Sequence, residues 1–259
     1  MSTKRAMAYH YSVTCFIYFL LLIPLLATLV YSLCDQWGAT ILPSGFTFKW
    51  YIQLWTDPRF LTALYHSMTL AVGTLILSAV LIVPCVFVVF YYYPKLDTGL
   101  NILTLLPFAI PPVVSSVGLL QLYSDYPLLL TGTPWILVGC YVGIALPFIY
   151  RAVNNNLRAL NVHDLMDAAR LLGASSTQAF FKLILPNIRK GLMASLFLSF
   201  SFLIGEFVFA NLLAGANFET LQVYLYNMQQ NSSHFTSALV ISYFSITLIL
   251  TLLATRFNR

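Results

Sequence analysis

The sequence predicts an all-α membrane protein with six transmembrane helices and both termini in the cytoplasm. Three observations carry that prediction. Hydrophobic residues make up 59% of the 259 residues and charged residues only 8%, too few to cover a water-facing surface of this size. The mean hydropathy is +0.82. The apolar residues also fall in runs long enough to cross a hydrocarbon core, which takes about 20 residues of α-helix.

The first run is Ser12–Leu33, with Arg5 before it and Asp35 after it. It is too long for a signal-peptide core and lacks a clean cleavage site, so it reads as a retained first span. The second is Leu64–Phe90, long enough to tilt. The third is Leu100–Leu122, the fourth Thr133–Tyr150, the fifth Gly191–Leu213 and the sixth Ser237–Thr255. Placing the N-terminus inside leaves eleven of the thirteen Lys and Arg residues on the cytoplasmic side. Only Lys49 and Arg59 then lie outside, which is the bias that sets orientation.

The connections differ in kind. Residues Asp35–Ala63 form an outside segment whose Trp37, Trp50, Tyr51 and Trp55 suit an interfacial belt. Tyr91–Gly99 reads as a short inside turn and Tyr123–Gly132 as a short outside one. Arg151–Lys190 is the longest inside connection, and Ala214–Thr236 the last outside loop. With neither repeat nor linker, one membrane domain covering residues 1–259 is the economical description.

Composition and spacing also limit the chemistry. Cys15, Cys34, Cys85 and Cys140 lie in or beside separate apolar segments, and the four histidines do not cluster. Neither set has the spacing of a metal site or a disulfide framework. No catalytic, metal-binding or cofactor-binding residues are expected. The third span carries Pro107, Pro111 and Pro112. Prolines inside a span are tolerated where freed backbone groups face protein or a water-filled cavity. The span is then either a bent, pathway-lining helix or a kinked packing helix. Glu206 is the one acidic residue inside a predicted span, in Gly205-Glu206-Phe207 between Ser201 and Asn211. A charge there must face the bundle interior, a cavity or a partner. Two roles stay open for it, a hydrogen-bonded subunit contact or a pathway residue.

The stretch from Asn161 to Pro186 is patterned. Asn161 can cap a short helix, with Asp164 three residues on, close to a capping-box arrangement. Leu165, Ala168, Ala169 and Leu172 recur at helical spacing on one side, and Gly173 is placed to end the helix. Ser175 or Ser176 can cap a second helix with Phe180, Phe181, Ile184 and Leu185 on its apolar side, stopping at Pro186. Such helices either lie on the inner leaflet or dock into a partner's groove.

This stretch resembles the cytoplasmic loop of permease subunits in binding-protein-dependent ATP-binding-cassette importers. The family motif opens Glu-Ala-Ala, has a Gly after three more residues, and reaches Ile-x-Leu-Pro after nine more. Here the matching residues are Asp167-Ala168-Ala169, Gly173 and Leu183-Ile184-Leu185-Pro186. Asp167 stands for Glu and Leu183 for Ile, and the Pro-Gly that often follows is Lys190-Gly191. The resemblance covers roughly Leu64 to Arg256. It implies a type I importer permease fold in a bacterial inner membrane, with a coupling-helix loop between spans four and five. It also implies partners: two ATP-binding subunits, a second, related permease and an extracytoplasmic solute-binding protein, with no nucleic acid. The implied coupling residues are Leu165, Asp167, Ala168, Ala169, Leu172 and Gly173. The residues expected at the pathway or a subunit contact, from the span reading above, are Glu206, Pro107, Pro111, Pro112 and Asn211. The chain has no Gly-x-x-x-x-Gly-Lys-Ser/Thr loop, so ATP use falls to a partner. Permeases for polyamines, ferric iron, thiamine, oxyanions or phosphonates look similar around Glu206. A secondary transporter, a membrane enzyme and a structural membrane subunit are the rival readings. The first lacks inverted repeats, the second lacks convergent polar groups in the spans, and the third gives no reason for the patterned loop.

Overall fold

The computed structural model describes residues 3–38, 43–215, 217–230 and 232–257, and for residues 3–6, 8, 254, 255 and 257 the backbone alone. Residues 39–42, 216 and 231, within the two larger segments expected outside, lie beyond that description. The elements are helical: α1 (Thr3–Ser32), α2 (Lys49–Thr56), α3 (Pro58–Tyr92), α4 (Asp97–Ala109), α5 (Pro112–Tyr123), α6 (Pro134–Ala159), α7 (Val162–Leu171), α8 (Ser176–Ala179), α9 (Leu185–Ile204), α10 (Leu221–Met228) and α11 (Ser233–Phe257). Among the described residues five helical stretches are long and apolar enough to cross a membrane, and counting the bent pair α4–α5 as one span makes six.

The chain divides into two compact units. The smaller comprises residues 1–61 and 225–247. In it Trp50 Nε1 donates to Cys34 O at 2.9 Å, and the Ser32 and Tyr51 hydroxyls share a 2.6 Å hydrogen bond. His234 stacks on Tyr31 with ring centroids 4.1 Å apart. Aromatic side chains with polar handles suit this wet end of an apolar helix.

The larger unit, residues 62–224 with 248–259, holds the family-like loop. Its core is the α6–α9 pair. Leu137, Tyr141, Ala145, Ile149, Val153 and Leu157 recur every four residues on α6 and are all buried. Rows at that spacing form the ridges by which helices interlock. α9 answers with Ile188, Leu192, Ser195, Ser199 and Leu203, also buried. Small residues let the backbones approach, the usual basis of helix packing where lipid removes the hydrophobic drive. Gly191 is one point of close approach: a Cβ there would meet the Asn156 side-chain amide on α6, with Cγ 2.7 Å away.

Four sequence expectations change. The third span is not one helix: α4 and α5 meet at a 94° bend. Pro112 forces Pro111 out of the helical region, to ψ 137°, and Pro111 does the same to Ile110, at ψ 126°. The fifth span does not run from 191 to 213. Helical structure is continuous from Ser176 and stops at Ile204, so Glu206 sits in a break instead of inside a span. Nor does Pro186 end a helix. A π-helical turn, Phe180–Ile184, precedes it, and Leu185 N–H reaches back five residues to Phe180 O. The wide turn absorbs the proline that a regular i→i−4 ladder would reject. Finally, α6 continues past the predicted Tyr150 to Ala159. Hydropathy marks where the apolar run ends, and the polar turns of α6 extend beyond it. The connection outside long helices shrinks to residues 160–175.

Candidate functional site

Two sites emerge in the larger unit, one at the α7 loop and one at the break after α9. α7 follows α6 after two residues. The Asn161 side chain makes no cap hydrogen bond, so the expected capping box is absent there. The box belongs to α8: Ser175 Oγ accepts from Gln178 N–H at 3.2 Å, and Gln178 Oε1 accepts from Ser175 N–H at 3.0 Å. α7 ends as expected at Gly173, whose φ is +82°. Gly173 N–H donates to Arg170 O at 2.9 Å and Ala174 N–H to Ala169 O at 3.0 Å, the paired bonds of a Schellman cap.

The face of α7 differs from the expectation. Val162 and Met166, 2% and 0% exposed, turn inward, and Leu165 and Ala169 are half-buried beside them. Asp167 and Ala168 are exposed, and Leu171 and Leu172 are each 89% exposed. The predicted set Leu165, Ala168, Ala169 and Leu172 is therefore divided between two sides. The reason is that Val162 and Met166, four residues apart, compete for the inward face. Leu171, absent from the sequence-derived set, joins Leu172 outside. Asp167 faces Arg170 across 3.7 Å on the same helix.

Aromatic contacts hold the loop to the spans. Arg170 lies over the Tyr91 ring at 5.5 Å, and His163 meets the same ring at 5.0 Å between centroids. Phe180 packs on Phe87 of α3 at 4.7 Å, both buried. The loop is thus fastened to the end of α3, while its two leucines stay open.

The second site is a cleft of about 350 Å³ between the α4–α5 bend and the break after α9. Pro107 and Pro112 line it from one side and Glu206 from the other. Pro111 makes the bend itself. Asn211, half-buried, lies one helical turn on, its N–H donating to Phe207 O at 2.8 Å, and does not line the cleft. Glu206 has a local task. Its Oε1 accepts from Phe209 N–H at 2.9 Å and its Oε2 from Ala210 N–H at 3.1 Å. The carboxylate so satisfies the free donors at the start of the short helical segment that follows. The buried Tyr141 side chain lies close enough to interact with it electrostatically. Beside the cleft, Phe108, Phe148 and Phe202 form an aromatic row, with centroids 5.9 Å and 4.8 Å apart.

The sequence pattern of the "binding-protein-dependent transport system inner membrane component" family matches residues 85–259. The chain belongs to this family. The matched stretch of this inner-membrane component contains both sites. A permease assigned to 2-aminoethylphosphonate transport, PhnV of Salmonella typhimurium, is 29% identical over 229 residues, 88% of this chain and 85% of that protein. The spermidine/putrescine permease PotC of Escherichia coli K12 is 29% identical over 217 residues, 82% of this chain and 79% of that one. Among solved structures, a bacterial ABC transporter importing alginate superposes with a TM-score of 0.77 at 16% identity, covering 99% of this chain and 98% of that one. The chain is therefore a multi-pass permease component with the fold of an ATP-binding-cassette importer subunit.

One polar cluster in this permease component escaped the sequence reading. Asp97, first residue of α4, accepts from Tyr150 Oη at 2.7 Å, Asn154 Nδ2 at 3.2 Å and Arg158 at 2.6 Å. The three donors recur at four-residue spacing on α6, a signal present in the sequence. Their partner lies more than fifty residues away, in a stretch that reads only as a turn. The phenylalanine row has no sequence signal, since its members come from three separate apolar helices.

Proposed function

We propose that this chain is one of two permease subunits of an ATP-driven solute importer in the bacterial inner membrane, and that α7 docks it onto a separate ATP-binding subunit. The observation that carries the reading is α7 itself. It is a short helix closed by a glycine cap, anchored on its inner side by Met166, and presenting Leu171 and Leu172 to solvent. Two such leucines are an unfavourable surface unless covered, each worth about 1.5–3 kcal/mol when buried. Ala168 leaves room for close backbone approach, and Asp167 is free to exchange its exposed Arg170 contact for a basic residue on the partner. The positive-inside bias puts this loop in the cytoplasm, where an ATPase would meet it.

The chain itself binds no ATP in this reading and has no catalytic residue or cofactor. The Glu206 cleft would line part of the pathway, and an extracytoplasmic binding protein would deliver solute from the other side. The alginate transporter was solved with its periplasmic protein bound, which supports that arrangement. The two relatives are named for 2-aminoethylphosphonate and for spermidine and putrescine. All three solutes carry a primary alkylammonium group, so we assign the solute to that class. The second permease is a related chain, not a second copy.

The test is purification of the tagged chain from its native membrane in nanodiscs, followed by intact-complex mass determination. The expected composition is this chain, one related permease and two ATP-binding subunits. Recovery without any ATP-binding subunit would overturn the reading, and two identical permease copies would overturn the heteromer.

A further inference from the structure

We propose that Asp97 is a latch that transmits movement of the α7 loop to the Glu206 cleft. The proposal rests on the coupling role assigned to α7 above. Asp97 Oδ1 accepts from Tyr150 and Asn154, and Oδ2 from Arg158. These three residues occupy one face over the last turns of α6. Arg158 stands next to Ala159, where α6 ends, and α7 starts at Val162. A push on α7 therefore acts on the part of α6 that holds Asp97.

The other end of α4 completes the path. α4 is a rod of 13 residues, about 18 Å between its end residues. Asp97 sits at one end, and Pro107 and Phe108, near the other, line the cleft. The Pro111 bend uncouples α4 from α5, so α4 can tilt without dragging its neighbour. Asp97 is only 23% exposed, whereas Arg158 is 59% exposed. A carboxylate with three donors in that setting is strongly held, yet each donor can be removed singly. The negative charge also suits the N-terminus of α4. A clamp that served stability alone would explain the contacts, but it would give no role to the α4 rod that ends at the cleft.

The test uses the whole transporter in nanodiscs, with the four native cysteines replaced by serine and Ile110→Cys as reporter at the cleft. The rate of N-ethylmaleimide labelling is measured with and without MgATP plus vanadate, which holds the ATPase pair closed. With Asp97 present, closure changes the labelling rate. In Asp97→Asn that change shrinks about threefold or more, while the ATPase still co-purifies. Tyr150→Phe, which removes one donor, gives a smaller loss in the same direction and carries the test should Asp97→Asn fail to assemble. Arg158→Lys, which keeps the charge, restores most of the response relative to Arg158→Gln. An undiminished vanadate response in assembled Asp97→Asn, or in Tyr150→Phe, would overturn the latch. So would loss of response only in proportion to lost ATPase recovery. If the unmodified transporter recovers no ATPase at all, it is the functional reading that fails, and the latch falls with it.

Discussion

Gly173 gives the sharpest test of how the loop is built. Its φ of +82° is a conformation that a Cβ disfavours by about 1–2 kcal/mol. No atom lies within 4 Å of where that Cβ would be, so Gly173→Ala suffers backbone strain without a clash. The strain falls on the two cap hydrogen bonds to Arg170 O and Ala169 O. A cap that opens to relieve it turns the adjoining Leu171 and Leu172 away from the geometry in which we propose they dock. A penalty of about 1–2 kcal/mol corresponds to roughly 5–30-fold in affinity for the ATP-binding subunit. Asn tolerates the left-handed region better than other non-glycine residues, whereas a β-branched side chain tolerates it worst. The expected order of ATPase affinity is therefore Gly173, then Gly173→Asn, Gly173→Ala and Gly173→Val. Titration of the purified ATP-binding subunit onto nanodisc-held transporter cores, read by fluorescence polarisation, gives the four values. Equal affinities for the Asn and Ala variants, or a Val variant that binds normally, would refute the argument that conformation at this residue sets the docking geometry.

Other perturbations follow from the packing. Gly191→Ala should lower the thermal unfolding midpoint of the purified chain, because its Cβ collides with Asn156. Adding Asn156→Ala should return most of the loss, and a double variant as unstable as the single one would contradict the close approach. Glu206→Gln keeps one acceptor oxygen but turns an amide NH2 toward a backbone N–H. Losing one charge-assisted bond should cost the break about 1.5–3 kcal/mol. Uptake by whole cells should fall while the amount of chain in the membrane stays normal, and unimpaired uptake would show the charge to be dispensable.

What the sequence revealed depended on whether the signal was local. The apolar runs, the Ser175 cap and the Gly173 terminator each rest on a few neighbouring residues, and each was legible. The ends of α6 and α9 were not. Asn154 and Arg158 belong to polar turns that prolong α6 beyond its apolar run, and hydropathy does not register helix of that composition. Pro186 misled because proline ends a helix unless a π turn such as Phe180–Ile184 precedes it, and that turn has no distinct sequence mark. The prolines of the third span announced a bend without its size, which depends on both Ile110 and Pro111 leaving the helical region. At the site, the pattern identified α7 but not which side faces out. Met166 and Leu165 are both apolar at helical spacing, and only packing against the rest of the fold decides that Met166 is the buried one. Asp97 and its donors needed the tertiary structure altogether.

The central claim is that α7 docks on an ATP-binding subunit through its open leucine pair. Photo-cross-linking from Leu172, replaced by a benzophenone-bearing residue in otherwise native membranes, tests it directly. Mass spectrometry of the adducts is predicted to find the ATP-binding subunit, with the same probe at the buried Leu157 giving no such adduct. Adducts from Leu172 to lipid alone would contradict the claim and leave α7 an interfacial helix.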